Sequence, residues 1–269
     1  SGDRGIALEN MIALANETGT APWFTLPWGA DAAYVRQFAQ MVRERLDPRL
    51  KIYVELSNEV WNTMFSQSQQ STAEGVSRGL EGSPYDAGQR NYADKAVAMF
   101  AVWEQVFGKD IGRVVRVLGA QNGNSWLAEI LLSRKGVAGH IDALAVAPYF
   151  YADDLKTPSG SDGVADEVFA KGHAMVDKAI AGAVQVKAVA DRHHVRLIAY
   201  EGGAHFWSPG DRVRTADFEK VRHDPRMADL YVYYLDQWQK KVGDLIVLYS
   251  GTSSGTFGMN DYTGQPLSE

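Results

Sequence analysis

Six short runs rich in valine, isoleucine and leucine are spaced along the chain, and helix-patterned segments separate nearly all of them. The runs are "APWFTLPW" (21–28), "KIYVELS" (51–57), "RVVRVLGAQNG" (113–123), "IDALAVAPYFY" (141–151), "HVRLIAYEGG" (194–203) and "DLIVLYSG" (244–251). Their apolar residues fall on consecutive rather than alternate positions, which is the pattern of strands covered on both faces. Strands of that kind alternating with helices predict a parallel sheet, either doubly wound or closed as a barrel.

The intervening segments carry the helical period. Leu8, Met11, Ile12 and Ala15 share one face, and Gly19 is a stop signal. Tyr34, Phe38, Met41, Val42 and Leu46 form a second stripe that Pro48 terminates. Tyr92, Ala96, Phe100, Trp103 and Phe107 form a third. "SWLAEILLSRKG" (125–136) reads as a helix closed by Gly136, an Ala/Val-rich helix is expected over about 164–191, and another follows Pro225. "RGLEGSPYDAG" (78–88) and residues 152–163 are rich in Gly, Ser and Pro or in polar residues and read as loops. With no internal linker and no short-period repeat, 1–269 is expected to be a single domain.

Composition narrows the function classes. A formal net charge of −6 argues against nucleic acid as the main partner. There are no cysteines, so disulfides, thiolate metal sites and a cysteine nucleophile are excluded. No apolar run approaches the roughly 20 residues that span a bilayer, so no membrane partner is expected. The first residues, "SGDRGIALEN", show no basic-then-apolar signal pattern.

The chemistry is concentrated where strands end. In a parallel α/β barrel the functional groups gather at the C-terminal ends of strands. Of the six strand ends, "LSNEVWN" and "AYEGGAHFW" each carry a glutamate, Glu59 and Glu201. A single strand-end carboxylate is an ordinary helix cap or ion-pair partner. Two at one mouth are what cleavage of a glycosidic bond needs: one protonates the departing oxygen and the other meets the oxocarbenium-like centre.

This order resembles the clan A retaining glycoside hydrolases. "NE" ends one strand and "E" ends the third strand after it, over roughly Pro22 to Gly251. The resemblance implies a TIM (β/α)8-type barrel and a double-displacement retaining β-glycosidase acting on a plant- or microbial-type polysaccharide or oligosaccharide. Carried over to this sequence, Glu59 is the acid/base and Glu201 the nucleophile. Asn58 is a reader of the sugar 2-hydroxyl, and Tyr149 is the aromatic hydroxyl that contacts the nucleophile. It also implies carboxyl groups about 5–5.5 Å apart, as retention requires. Neither a metal nor an organic cofactor is needed, and a polysaccharide substrate would favour a secreted or periplasmic location.

Trp28, Trp61, Trp126 and Trp207 follow strands and are candidates for stacking on sugar rings, with Trp28 and Trp207 foremost. Gln121, Asn122 and His205 are candidate polar contacts. Long loops and several strand-end tryptophans suggest a cleft for a polymer. Two departures from the clan stand out. The last strand is followed by Tyr249 and Phe257 rather than a tryptophan, and only one strand precedes the one ending at Glu59. The first two βα units of a barrel therefore have no counterpart, and a missing N-terminal segment or a second chain is expected to complete it. A non-catalytic carbohydrate-binding barrel is the alternative function.

Other motifs carry less. "GTSSG" (251–255) matches a nucleophile elbow, but no helix pattern or downstream histidine follows it. His193 and His194 lack any zinc-binding pattern and read as a solvated helix end, and no phosphate-cradling glycine loop opens a helix. "NET" at Asn16 is a glycosylation sequon only in a eukaryotic secretory setting.

Overall fold

The computed structural model describes residues 5–252, 257–262, 264 and 265. They form two compact units. The first comprises the chain up to Gln121 with Trp126–Ala145 and Val189–Arg196; the second comprises Asn122–Ser125, Val146–Ala188 and the chain from Leu197 onward.

In the first unit the strands β1 (Trp23–Leu26), β2 (Ile52–Leu56), β3 (Val114–Gly119) and β4 (Ala143–Val146) lie side by side in sequence order, all parallel. The connections are helices: α1 (Leu8–Thr18) precedes β1, α2 (Ala32–Arg45) follows it, α3 (Ser66–Ser77) and α4 (Pro84–Phe107) lie between β2 and β3, and α5 (Ser125–Leu132) begins after β3. The expected stripes are buried only in part, and Tyr34, expected in the α2 stripe, is exposed. Ile12 and Ala15 of α1, Val42 of α2, and Ala96, Phe100, Trp103 and Phe107 of α4 all lie in the core. Phe24 of β1 meets Phe38 edge-on, and Phe38 packs on Trp103, so one aromatic chain joins the sheet to α2 and α4. Arg116 of β3 bonds Asp142 and Glu104, tying the start of β4 and helix α4 to the strand between them.

The boundaries follow local chemistry. Gly19 takes a left-handed φ of 65° that closes α1, and Asp31 caps α2 by accepting from the Tyr34 N–H at 2.7 Å. Helix α4 starts earlier than the loop reading of 78–88 allowed. Ser83 and Asp86 form a reciprocal capping box and Pro84 occupies the first turn, so "SPYDAG" opens a helix. Helix α5 ends at Leu132, short of the expected stop at Gly136.

The second unit holds most of α6 (Val164–Arg192), with β5 (Phe150–Tyr151), β6 (Arg196–Ala199), β7 (Ala204–His205), α7 (Arg212–Arg222) and α8 (Arg226–Lys241). The sixth expected strand is reduced to one bridge, Ile246 with Ala199, supported by Ala199 N–H to Leu245 O at 2.9 Å and Val247 N–H to Ala199 O at 3.1 Å. Ser253 to Gly255 of the "GTSSG" motif lie outside the described residues.

Candidate active site

In the second unit, two strand paths break and resume at a candidate residue. The path of β4 stops at Val146, turns through Ala147–Tyr149 and resumes as β5; the path of β6 stops at Ala199, turns through Tyr200–Gly203 and resumes as β7. Hydrogen bonds on both sides of the break hold the paths together: Tyr200 N–H to Val146 O at 3.1 Å, and Phe150 N–H to Gly203 O at 3.0 Å. Beyond it β5 and β7 pair in parallel, Phe150 with Ala204 and Tyr151 with His205. The break brings Tyr149 against Glu201, and the Tyr149 hydroxyl donates to the Glu201 carboxylate at 2.5 Å. Tyr149 is 8% exposed, so this bond lies away from bulk water.

An aromatic wall stands beside the pair. The His205 ring lies 5.4 Å from Tyr149, 4.8 Å from Tyr151, 4.9 Å from Phe257 and 6.4 Å from Trp207. Tyr249 packs on Phe257 at 5.8 Å. Tyr151 and Trp207 are 45% and 55% exposed, leaving ring area open to a ligand. Burial holds the His205 imidazole below its ordinary pKa, which favours the neutral ring, with the Asp153 charge opposing. A cavity of about 480 Å³ adjoins, lined by Tyr149, Tyr151, Asn122, Asp153, Lys171 and Met175. The Asn122 amide donates to Ala179 O at 3.0 Å, and its oxygen has no partner among the described residues.

In the first unit, the turn after β2 is strained. Ser57 and Glu59, on either side of Asn58, have φ of 61° and 46°, a region that side-chain-bearing residues rarely occupy. Several bonds hold it. Ser57 N–H reaches Leu26 O at 2.7 Å, the Gln67 amide reaches Asn58 O at 2.6 Å, and the Tyr85 hydroxyl reaches Trp61 O at 2.9 Å. The Glu59 carboxylate accepts from the Asn62 amide at 2.9 Å and is half-buried, while Asn58 is exposed.

The remaining candidates fall in varied settings. Trp61 and Gln121 are half-buried. Trp126 is exposed on the first turn of α5. Trp28 is 6% exposed; its indole N–H reaches Glu74 at 3.2 Å and the Lys95 ammonium sits 4.0 Å above its ring. His193 is not solvated as expected, since its Nε2 pairs with Glu129 at 3.0 Å.

Two residues near these sites escaped the sequence reading. Tyr151 lay inside a strand run without being singled out, although its place two residues after Tyr149, on the same strand face, was a usable signal. Glu55, hidden within an apolar run, is a buried carboxylate, 2% exposed, that accepts from the Trp23 indole N–H at 3.1 Å. Gly119 stands opposite it, where a Cβ would lie 2.7 Å from Glu55 Oε1.

No protein-family model matches the chain, and no curated protein does. Solved structures do match, and the likeness shows a (β/α)8-type fold. The chain is similar to the GH51 arabinofuranosidase from Xanthomonas axonopodis pv. citri, with TM-score 0.55 and 12% identity, covering 94% of this chain and 50% of that one. It also matches the endo-β-1,4-mannanase of Cellulomonas fimi, a family 26 enzyme, at TM-score 0.45 and 12% identity, over 88% of this chain and 43% of that one. The chain thus spans about half the length of the solved chains it matches. Among the described residues, no helix is long and apolar enough to cross a membrane and no acidic or histidine cluster could hold a metal ion.

Proposed function

We propose that the chain carries the catalytic residues of a retaining glycoside hydrolase, with Glu201 as nucleophile and Glu59 as acid/base. The observation that supports it most is Glu201 itself: a strand-end carboxylate bonded by a tyrosine hydroxyl, beside partly open aromatic rings and a cavity of substrate size. In the first step, Glu59 gives its proton to the glycosidic oxygen as Glu201 attacks the anomeric carbon. The C–O bond to the leaving group breaks and a glycosyl ester forms. In the second, Glu59 takes a proton from water, and the water oxygen displaces Glu201. Asn58 reads the sugar 2-hydroxyl, and Tyr151, Trp207 and His205 form the carbohydrate platform. Asn122 lines the adjoining cavity, and Trp61 and Gln121 are further candidate sugar contacts. Trp28 is left out because its ring is buried beneath Lys95.

Exposed aromatics equally suit a binding protein that has lost catalysis, so the test must separate turnover from binding. Wild type, Glu59→Ala and Glu201→Ala are assayed on aryl glycosides, arabinofuranosides, β-glucan, mannan and xylan. The reading expects wild-type hydrolysis of one substrate class and a loss of about 10³-fold or more in each variant. Carbohydrate binding without wild-type turnover would instead make it a binding barrel.

A further inference from the structure

The "YEGG" turn after β6 carries two glycines where two tyrosine hydroxyls arrive. A Cβ on Gly202 would lie 2.5 Å from the Tyr234 hydroxyl. Gly203 has φ 125°, and a Cβ there would lie 2.7 Å from the Tyr231 hydroxyl. Both tyrosines come from α8, three residues apart and therefore on one helical face. Their rings lie 5.8 Å and 5.2 Å from Phe150, the residue after Tyr149.

Each hydroxyl bonds a different side of the Tyr149–Glu201 contact. Tyr234, fully buried, donates to Pro148 O at 2.9 Å, one residue before Tyr149, and also hydrogen-bonds the Gly203 backbone. Tyr231 accepts from Ala204 N–H at 3.1 Å, just past the turn that carries Glu201. Two further backbone bonds, Tyr249 N–H to Gly202 O and Phe150 N–H to Gly203 O, both at 3.0 Å, leave the turn little freedom. If either position bore a side chain, the tyrosines could not approach.

We infer that Tyr231 and Tyr234 are positioning residues: they clamp the Pro148 and Gly202–Gly203 segments so that the Tyr149 hydroxyl stays on the Glu201 carboxylate. Neither is aimed at substrate; each acts through the backbone on either side of the pair. The catalytic meaning of the clamp rests on the reading of Glu201 as nucleophile, but its geometry does not.

The test reads Glu201 directly. Glutamate side chains are ¹³C-labelled, and the Glu201 carboxyl is assigned by its disappearance in Glu201→Gln and titrated by NMR. Tyr149→Phe removes a donor to the charged carboxylate, so the midpoint rises. Tyr234→Phe should raise it as well, by less, and should have no further effect in a Tyr149→Phe background. Tyr231→Phe, a milder change at a half-buried site, should act in the same direction, and near-UV circular dichroism checks that each variant is folded. A midpoint unmoved by both α8 variants, or moved equally with and without the Tyr149 hydroxyl, overturns the inference. If the wild type hydrolyses glycosides, Tyr234→Phe should lower kcat about tenfold with KM little changed. If the wild type hydrolyses none while the titration coupling holds, the glycosidase reading falls and the clamp stands.

Discussion

Ser57 and Glu59 hold left-handed backbone angles that cost of order 1–3 kcal/mol each, and the bonds from Gln67, Tyr85 and the β1 carbonyl keep them there. Strain maintained at the one glutamate where β2 emerges fits a side chain aimed for chemistry better than a helix cap. His205 supplies a test of the second unit at the same scale. Its imidazole pKa lies below the ordinary value of 6.5 because of burial, so the unfolded chain binds the proton more readily than the folded one. Its contribution is fully present above pH 6.5 and is lost as pH falls through that value towards the folded pKa. In urea unfolding between pH 8 and pH 5, wild type should therefore lose more stability on acidification than His205→Gln. Equal pH dependence in the two proteins would remove His205 from the buried wall.

The elements differ in how much of themselves the sequence displayed. Five strands and the α1, α2, α4, α6 and α8 helices are legible because valine-rich runs and 3.6-residue stripes are strong signals. Helix α3 was not, because its buried face consists of Ser68, Ser71 and Gly75, which carry no apolar period. Helix α7 has only Phe218 and Val221 as buried apolar residues, and Asp211, which caps it, was the missed cue. The last strand read as apolar but makes only one bridge. Among the candidate residues, Glu59, Glu201 and Tyr149 could be picked out as polar groups at strand ends. The tyrosine clamp could not, because Tyr231 and Tyr234 look like ordinary core aromatics of an amphipathic helix. The packing of α3 on α4 gives a prediction that no sequence pattern contains. A Cβ on Gly75 would lie 2.2 Å from Ala87 O, so backbone rather than a flexible side chain would have to shift. Gly75→Ala should cost about 3 kcal/mol and lower Tm by about 5–10 °C in thermal unfolding. An unchanged Tm would mean the helices are farther apart than described.

At the scale of the whole molecule, the fold is of the (β/α)8 type, and the chain covers half of the arabinofuranosidase it resembles. The proposed chemistry needs both glutamates, Glu59 and Glu201. Neither glutamate alone would distinguish a glycosidase from a protein with one polar strand end. Retention of anomeric configuration does, because it requires one carboxylate to attack and the other to serve as acid and then base. The decisive measurement is ¹H NMR of the first product released from the best aryl glycoside, recorded before mutarotation. The account predicts a product with the anomeric configuration of the substrate and no such product from Glu201→Ala. An inverted product, or turnover that survives Glu201→Ala, would contradict it.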